Sequence, residues 1–520
     1  MEGIKRVLKI AFLLCLALAS NLKMCACESN DTAVANKTET ITHPRIVIVG
    51  AGPSGIAAAA KLLENGFKNV TILEAEDRIG GRVYTSKIGD NSVDLGGQWV
   101  HGTEGNIVYK LANPLGVLDV SDKPNFGLEQ EYLDSLGNHL DEAVTKNVSD
   151  FFFKYAGNWG VDTNMTTDSL GEHIEKVFDK HFKNNPEIFN DRRKFLHHLE
   201  LFTISLESAE NWTDISGAPH DQYRECPGDN MINWKERGYS TILDILMKRF
   251  PDPAMEIPVL SNTILESDVV CIDYLKNEEG PPVLVTTTKG QLYKADHVIV
   301  TVPLGVLKAK HESLFIPPLP DYKIETIKSL GFGSVAKIYL MFEKPFWNLG
   351  DRRVLHFTFI WNDAERTALQ NETEKTWLLG ISGARTVEHK PNLLEVWVAG
   401  KYAKDMELLL DEAILNHTME NLHRFLDKHY TVSEPLSMLR TRWYTNPHFR
   451  GTYSYRSVET EKKKVFPEML ERPLENGTIL FAGEATHKDR FSTVDGAIAS
   501  GWKAADRLIN QYETLLPVNG

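Results

Sequence analysis

Gly50, Gly52 and Gly55 form a Gly-x-Gly-x-x-Gly run with Ser54 inside it, and Glu74 stands at the end of the next apolar stretch. Glycines at this spacing let a backbone approach a pyrophosphate at a helix N-terminus, and a carboxylate one strand later can accept hydrogen bonds from a ribose. Downstream, Arg78-Ile-Gly-Gly-Arg82 adds a second glycine pair flanked by cationic donors, suited to the same phosphates. Far along the chain Lys337 interrupts an otherwise apolar, alternating segment. A lysine there is costly to bury unless it is paired, so it either marks a site or points outward to solvent.

A glycine run of this type also occurs in ordinary turns, so its context decides. Residues 45–49 are a continuous apolar run of strand length, 56–64 an Ala/Leu-rich helix pattern closed by Asn65-Gly66, and 70–73 a second apolar strand. This is a β-α-β unit whose strands are buried on both faces. Residues 125–246 mix helical stretches with loops, and 259–302 are strand-rich. Residues 332–342 alternate like a strand, 408–429 read as an amphipathic helix, 478–482 as a last strand and 496–508 as a last helix. The chain of 520 residues, 42% hydrophobic and 25% charged, excludes a disordered protein, a collagen-like fibre and a disulfide-stapled miniprotein. A net charge of −14 disfavours a nucleic-acid partner and suits a cationic ligand.

Lys5, Arg6 and Lys9 precede a short apolar run and then polar residues, the pattern of a secretory signal over 1–27, followed by a flexible segment at 28–43. The apolar run is too short to span a bilayer, so stable membrane insertion is not expected. Sequons at Asn30, Asn36, Asn147, Asn164, Asn211, Asn371, Asn416 and Asn476 are compatible with a secreted, N-glycosylated protein; Asn69 is set aside because it opens a buried strand. Cys226 and Cys271 are either bridged or two separate thiols.

With these residues in place, the chain resembles the flavin amine oxidases, whose FAD-binding signature continues past the second strand as 78–82 does. The resemblance recurs at Leu95-Gly-Gly-Gln-Trp-Val-His-Gly102, Asp296-His-Val-Ile-Val-Thr-Val-Pro-Leu-Gly-Val-Leu307, Phe481-Ala-Gly-Glu-Ala-Thr-His487 and Ser492-Thr-Val-Asp-Gly-Ala497, and covers about 45–511. It implies an α/β fold in which a Rossmann-like FAD-binding domain (44–124, 236–318, 438–515) is interleaved with an α+β substrate-binding domain (125–235, largely helical, and 319–437). It also implies FAD contacts from Gly50, Gly52, Ser54, Gly55, Glu74 and Arg82, and from Gly97, Gln98 and Trp99 beside the flavin. Val269, Trp443, Gly483, Glu484, Thr493 and Val494 complete the cofactor set. In monoamine oxidases a cysteine before a cage tyrosine bonds to the flavin; Thr452 stands there, and a threonine cannot form the thioether, so FAD is expected to be non-covalent.

Within that family the chain resembles polyamine and spermine oxidases in Trp99-Val-His101, in Thr486-His487, and in a half cage of Tyr453 with Thr493 where a second tyrosine would be. Lys337 matches the lysine that holds a water against flavin N5, and His101 the histidine at the substrate tunnel, the alternative for His101 being a hydrogen-bonded core residue. Glu207 loosely resembles a tunnel carboxylate, against an ordinary helix-surface charge. The resemblance implies a secreted oxidase of spermine, spermidine or N-acetyl derivatives that acts at a carbon beside a secondary amine. O₂ would be the acceptor, giving an aldehyde, a shorter amine and H₂O₂. A secreted L-amino-acid oxidase and an inactive flavoprotein-fold binding protein are the alternatives, and the oligomeric state, monomer or homodimer, stays open.

Overall fold

In the computed structural model residues 43–121, 130–157, 169–218, 223–275, 282–349 and 352–513 are described. The expected signal, the segment up to residue 42 and the sequons at Asn30, Asn36 and Asn164 lie outside them. Five parallel strands form one sheet in the order Ile479–Phe481, His297–Val300, Ile46–Val49, Val70–Leu73 and Thr263–Ile264. Strand alternation explains why Ile46-Val-Ile-Val49 is apolar throughout. Ile46 and Ile48 pack with the helices Pro53–Glu64 and Val494–Tyr512, while Val47 and Val49 pack on the other face against a four-stranded sheet that includes Val269–Asp273 and Val283–Thr287.

A second, six-stranded sheet runs Ser437–Arg440, Val335–Met341, Lys390–Ala399, Ile381–Val387, His356–Ile360, Gln130–Asp134, antiparallel except for its last pair. Ala336, Ile338 and Leu340 point into a core closed by the helix Asp411–Leu426. Lys337 and Tyr339 therefore point to the opposite face, towards a cavity. The register sets Lys337 opposite Trp397 and Tyr339 opposite Glu395. A helical layer that includes Glu142–Phe152, Leu170–Phe182 and Arg192–Glu207 shares a phenylalanine-rich core.

Three local expectations are adjusted. The strand Ser437–Arg440 passes the expected boundary at 437, because its backbone pairs with Val335–Met341. The segment 332–342 is two strands, since Gly331–Phe332 pairs with Ser454–Tyr455 before Val335–Met341 enters the large sheet. The helix expected from residue 408 begins at Asp411, leaving Leu408 and Leu410 exposed. Cys226 and Cys271 are not bridged to each other.

Candidate active site

Every candidate site residue singled out by sequence except Gly55 lines one cavity of about 1520 Å³. That exceeds the few hundred to about 1,000 Å³ of a pocket for one small ligand and leaves room for a dinucleotide beside a substrate chamber. Its glycine-rich end is made by backbone. Gly50 has φ +110°, and a Cβ on Gly55 would lie 2.0 Å from the Gly50 carbonyl oxygen, so both are required by the turn itself. Gly52 differs: a Cβ there would meet nothing within 4 Å and would project into the cavity. It caps a helix that has no side-chain cap and begins with Pro53, leaving a bare N-terminus beside that space. Ser54 turns to Ser500, Oγ to Oγ 3.4 Å.

The Glu74 carboxylate accepts from the Ala51 amide (2.6 Å) and the Glu76 amide (2.9 Å), which orient it at the cavity edge; burial pushes its pKa up. Val269, Gly483 and Val494 also line the wall. Arg82 is there too, but its Nη1 donates to the Thr452 carbonyl (2.6 Å) and to Glu484 Oε1 (2.8 Å), so it clamps two motifs together besides bordering the cofactor space. Thr493 lines the cavity while its hydroxyl caps the last helix, accepting from the Gly496 amide at 2.9 Å. The Trp443 indole donates to the Leu95 carbonyl at 3.0 Å. The Thr452 hydroxyl is 2.6 Å from Ser208 Oγ.

Lys337 is buried, not solvent-facing, and all three of its N–H groups are engaged. Nζ donates to the carbonyls of Asp94 (2.9 Å) and Gly96 (2.8 Å) and to Gln98 Oε1 (2.6 Å). Burial pulls its pKa down to about 8, and Glu395 opposes the shift. Gly97 and Trp99 line the same wall, and the Trp99 and Trp397 rings lie 5.9 Å apart, centroid to centroid. Sequence reasoning missed Glu395, Arg385 and Trp397. The available signal was the one used for Lys337, charge placed in an apolar strand.

His101, Glu207 and Tyr453 also line the cavity. The His101 Nδ1 lies 2.6 Å from the Asn230 carbonyl oxygen, which cannot donate; Nδ1 therefore carries the proton and Nε2 keeps its lone pair. Desolvation by the surrounding walls lowers the imidazole pKa, so the ring is neutral at pH 7, and it is exposed to the cavity rather than packed in a closed core. Glu207 ends the helix Arg192–Glu207 and faces the cavity instead of bulk solvent; burial raises its pKa to about 7. The Tyr453 hydroxyl donates to the Ser205 carbonyl at 2.8 Å, which holds its ring beside Glu207. Tyr223 and Phe491, in edge contact with centroids 5.3 Å apart, add aromatic wall that the half-cage reading lacked.

The flavin containing amine oxidoreductase family matches residues 53–224 and 246–509. A human peroxisomal N(1)-acetyl-spermine/spermidine oxidase is 30% identical over 90% of this chain and 95% of its own length. Human lysine-specific histone demethylase 2 is 31% identical over 89% of this chain and 53% of its own length. Among solved structures, a redesigned putrescine oxidase superposes with a TM-score of 0.64 at 20% identity, over 90% of this chain and 99% of that one. The chain belongs to the flavin containing amine oxidoreductases. It has their fold, and its cofactor is FAD; the open cradle at Gly52 and the oriented Glu74 carboxylate fit the pyrophosphate and ribose of that group.

Proposed function

We propose that this flavoprotein is a secreted polyamine oxidase that oxidises spermine, spermidine or their N-acetyl derivatives at a carbon next to a secondary amine. O₂ is the acceptor and the products are an aldehyde, a shorter amine and H₂O₂. The observation that carries this reading is Glu207: among the described residues its carboxylate has no cationic or hydrogen-bonded partner, and it faces an aromatic chamber. Such a group suits the distal ammonium of a long, flexible polycation. The human oxidase relative is named for substrates of this kind.

When bound, FAD supplies the two-electron acceptor. The chain's own groups prepare the substrate. Neutral His101, with Nε2 free, can take the proton from the secondary ammonium so that the nitrogen reacts uncharged. The Trp99 and Trp397 rings line the cavity beside Lys337, and Glu207 anchors the far end, fixing which carbon is presented. An amino-acid substrate would need a free guanidinium for its carboxylate. Arg82, Arg224, Arg385, Arg456 and Arg490 line the cavity, and each already has a carboxylate within 4 Å.

Secretion is supported by the N-terminal pattern and by the exposure of Asn147, Asn371, Asn416 and Asn476. Among the described residues no helix is long and apolar enough to cross a membrane. The test is expression in a secretory host, a flavin absorbance spectrum, and peroxide yield with product masses across spermine, spermidine, their N-acetyl forms and an L-amino-acid panel. Peroxide from the polyamines alone is the expected result. Peroxide from amino acids alone, or none from a yellow protein, overturns the reading.

A further inference from the structure

Lys337 Nζ faces three oxygens that carry no proton of their own, two carbonyls and the Gln98 amide oxygen, at 2.6 to 2.9 Å. Three such acceptors need three N–H donors, which an ammonium has and a neutral amine lacks. The charge is nevertheless deep inside the protein, where an isolated ammonium is strongly disfavoured. What offsets that cost is on the neighbouring strand. Glu395, whose side chain is 0% exposed, places Oε1 3.8 Å from Lys337 Nζ. Tyr339 Oη is 2.7 Å from the same oxygen, and Gln98 Nε2 donates to Oε2 at 3.3 Å. Gln98 thus bridges the two charges, accepting from the lysine and donating to the glutamate. Arg385 Nε lies 3.6 Å from Glu395 Oε2, bringing a second cation to the one anion.

We infer that Glu395 is the positioning residue that keeps Lys337 cationic and fixed in the cavity wall, and that Arg385 limits that effect by competing for the same carboxylate. Neither residue need touch substrate; both act through Lys337. The other groups facing the ammonium are the Asp94 carboxyl, itself pushed up to about 6 by burial, and the Trp99 and Trp397 rings, whose centroids are 6.0 and 5.3 Å from Nζ. Glu395 and Asp94 raise the lysine's proton affinity while burial and Arg385 lower it. Removing the anion and removing the rival cation must therefore move Lys337 in opposite directions, which a merely structural role would not produce.

The inference rests on the amine-oxidase reading for its consequence but not for its measurement. In the FAD-loaded protein, the pH midpoint for trace acetylation of Lys337 by acetic anhydride is read by peptide mass spectrometry, alongside the pH profile of kcat/KM. Lys337→Met identifies the limb of that profile that belongs to the lysine. Glu395→Gln is expected to lower both midpoints by about one pH unit or more, and Arg385→Gln to raise them, as expected for loss of a nearby opposite or like charge. Midpoints that stay put, or that move the same way in both variants, overturn the inference. If Glu395→Gln fails to hold flavin, Arg385→Gln decides alone, and an unmoved midpoint there is equally fatal. A wild-type protein that oxidises no polyamine sinks the functional reading while leaving the labelling result to judge Glu395.

Discussion

Arg82 Nη1 and Glu484 Oε1 lie 2.8 Å apart, joining the glycine-rich N-terminal motif to the C-terminal one across 402 residues of sequence. Glu484 also accepts from Ser454 Oγ (2.6 Å) and the Ser492 amide (2.8 Å), so it is the anchor of a largely buried network. Arg82→Met leaves that carboxylate without its cation, a loss of about 2–4 kcal/mol. Unfolding of the flavin-free protein should shift accordingly, and FAD should be released more readily. Glu484→Gln should cost less, because Arg82 keeps its bond to the Thr452 carbonyl. Equal stability of Arg82→Met and wild type would show that the pair is not a clamp.

Two glycines of one motif make opposite predictions. At Gly55 a methyl would collide with the Gly50 carbonyl oxygen, so Gly55→Ala should destabilise the fold itself. At Gly52 the backbone has an ordinary φ of −76° and an added Cβ meets nothing within 4 Å. Gly52→Val should fold with near-native thermal stability yet come out colourless and take up no FAD. A yellow Gly52→Val protein would mean that the dinucleotide does not pass over this residue.

Burial holds the Glu207 carboxyl protonated up to about pH 7. A carboxyl whose pKa is raised on folding binds more protons folded than unfolded between the ordinary carboxylate range and about 7, so its contribution to stability falls as pH rises through that window. Glu207→Gln removes that loss. Its Tm advantage over wild type should grow between pH 5 and 7 and then level off. In the wild type, KM for spermine should fall as pH rises through about 7 and the anion forms. In the variant that dependence should vanish, with KM at pH 8 raised about tenfold, equivalent to about 1.4 kcal/mol. A variant with unchanged KM at pH 8 would remove Glu207 from the substrate path.

What the sequence made legible follows from how local each signal is. The Gly50–Glu74 unit could be read because turn, helix start and strand end are set by neighbouring residues. Lys337 could be read because it breaks an apolar alternation. Glu395 breaks one too, yet its importance depends on a register that sets Tyr339 opposite it and Lys337 opposite Trp397, and such long-range pairing leaves no local trace. Glu207 looked like a helix-surface charge because the sequence cannot say that the surface it faces is an internal one. Tyr223 and Phe491 come from segments with no periodicity, and only the folded chain brings their rings together.

Thr452 lines the cavity and carries no thiol, and its hydroxyl is 2.6 Å from Ser208 Oγ, inside the structural web that joins 208, 333 and 452. FAD should therefore leave with acid precipitation and appear intact in the supernatant. Yellow colour that stays with the pellet would overturn the non-covalent reading and would direct attention to another nucleophile on the wall, of which Cys226 is one.

His101 holds its Nδ1 proton against the Asn230 carbonyl and keeps Nε2 unprotonated, and desolvation lowers its pKa so that this form persists below neutrality. A base of that kind matters most when bulk solvent leaves the substrate amine charged. His101→Gln should therefore slow amine oxidation about a hundredfold at pH 7, with the deficit shrinking towards pH 10 as the secondary ammonium loses its proton unaided. Single-turnover flavin bleaching across that range measures the chemical step apart from product release. A deficit of the same size at every pH would mean that His101 shapes the chamber without handling the proton. The hydrogen bond to Asn230 would then serve only to hold the ring in the wall.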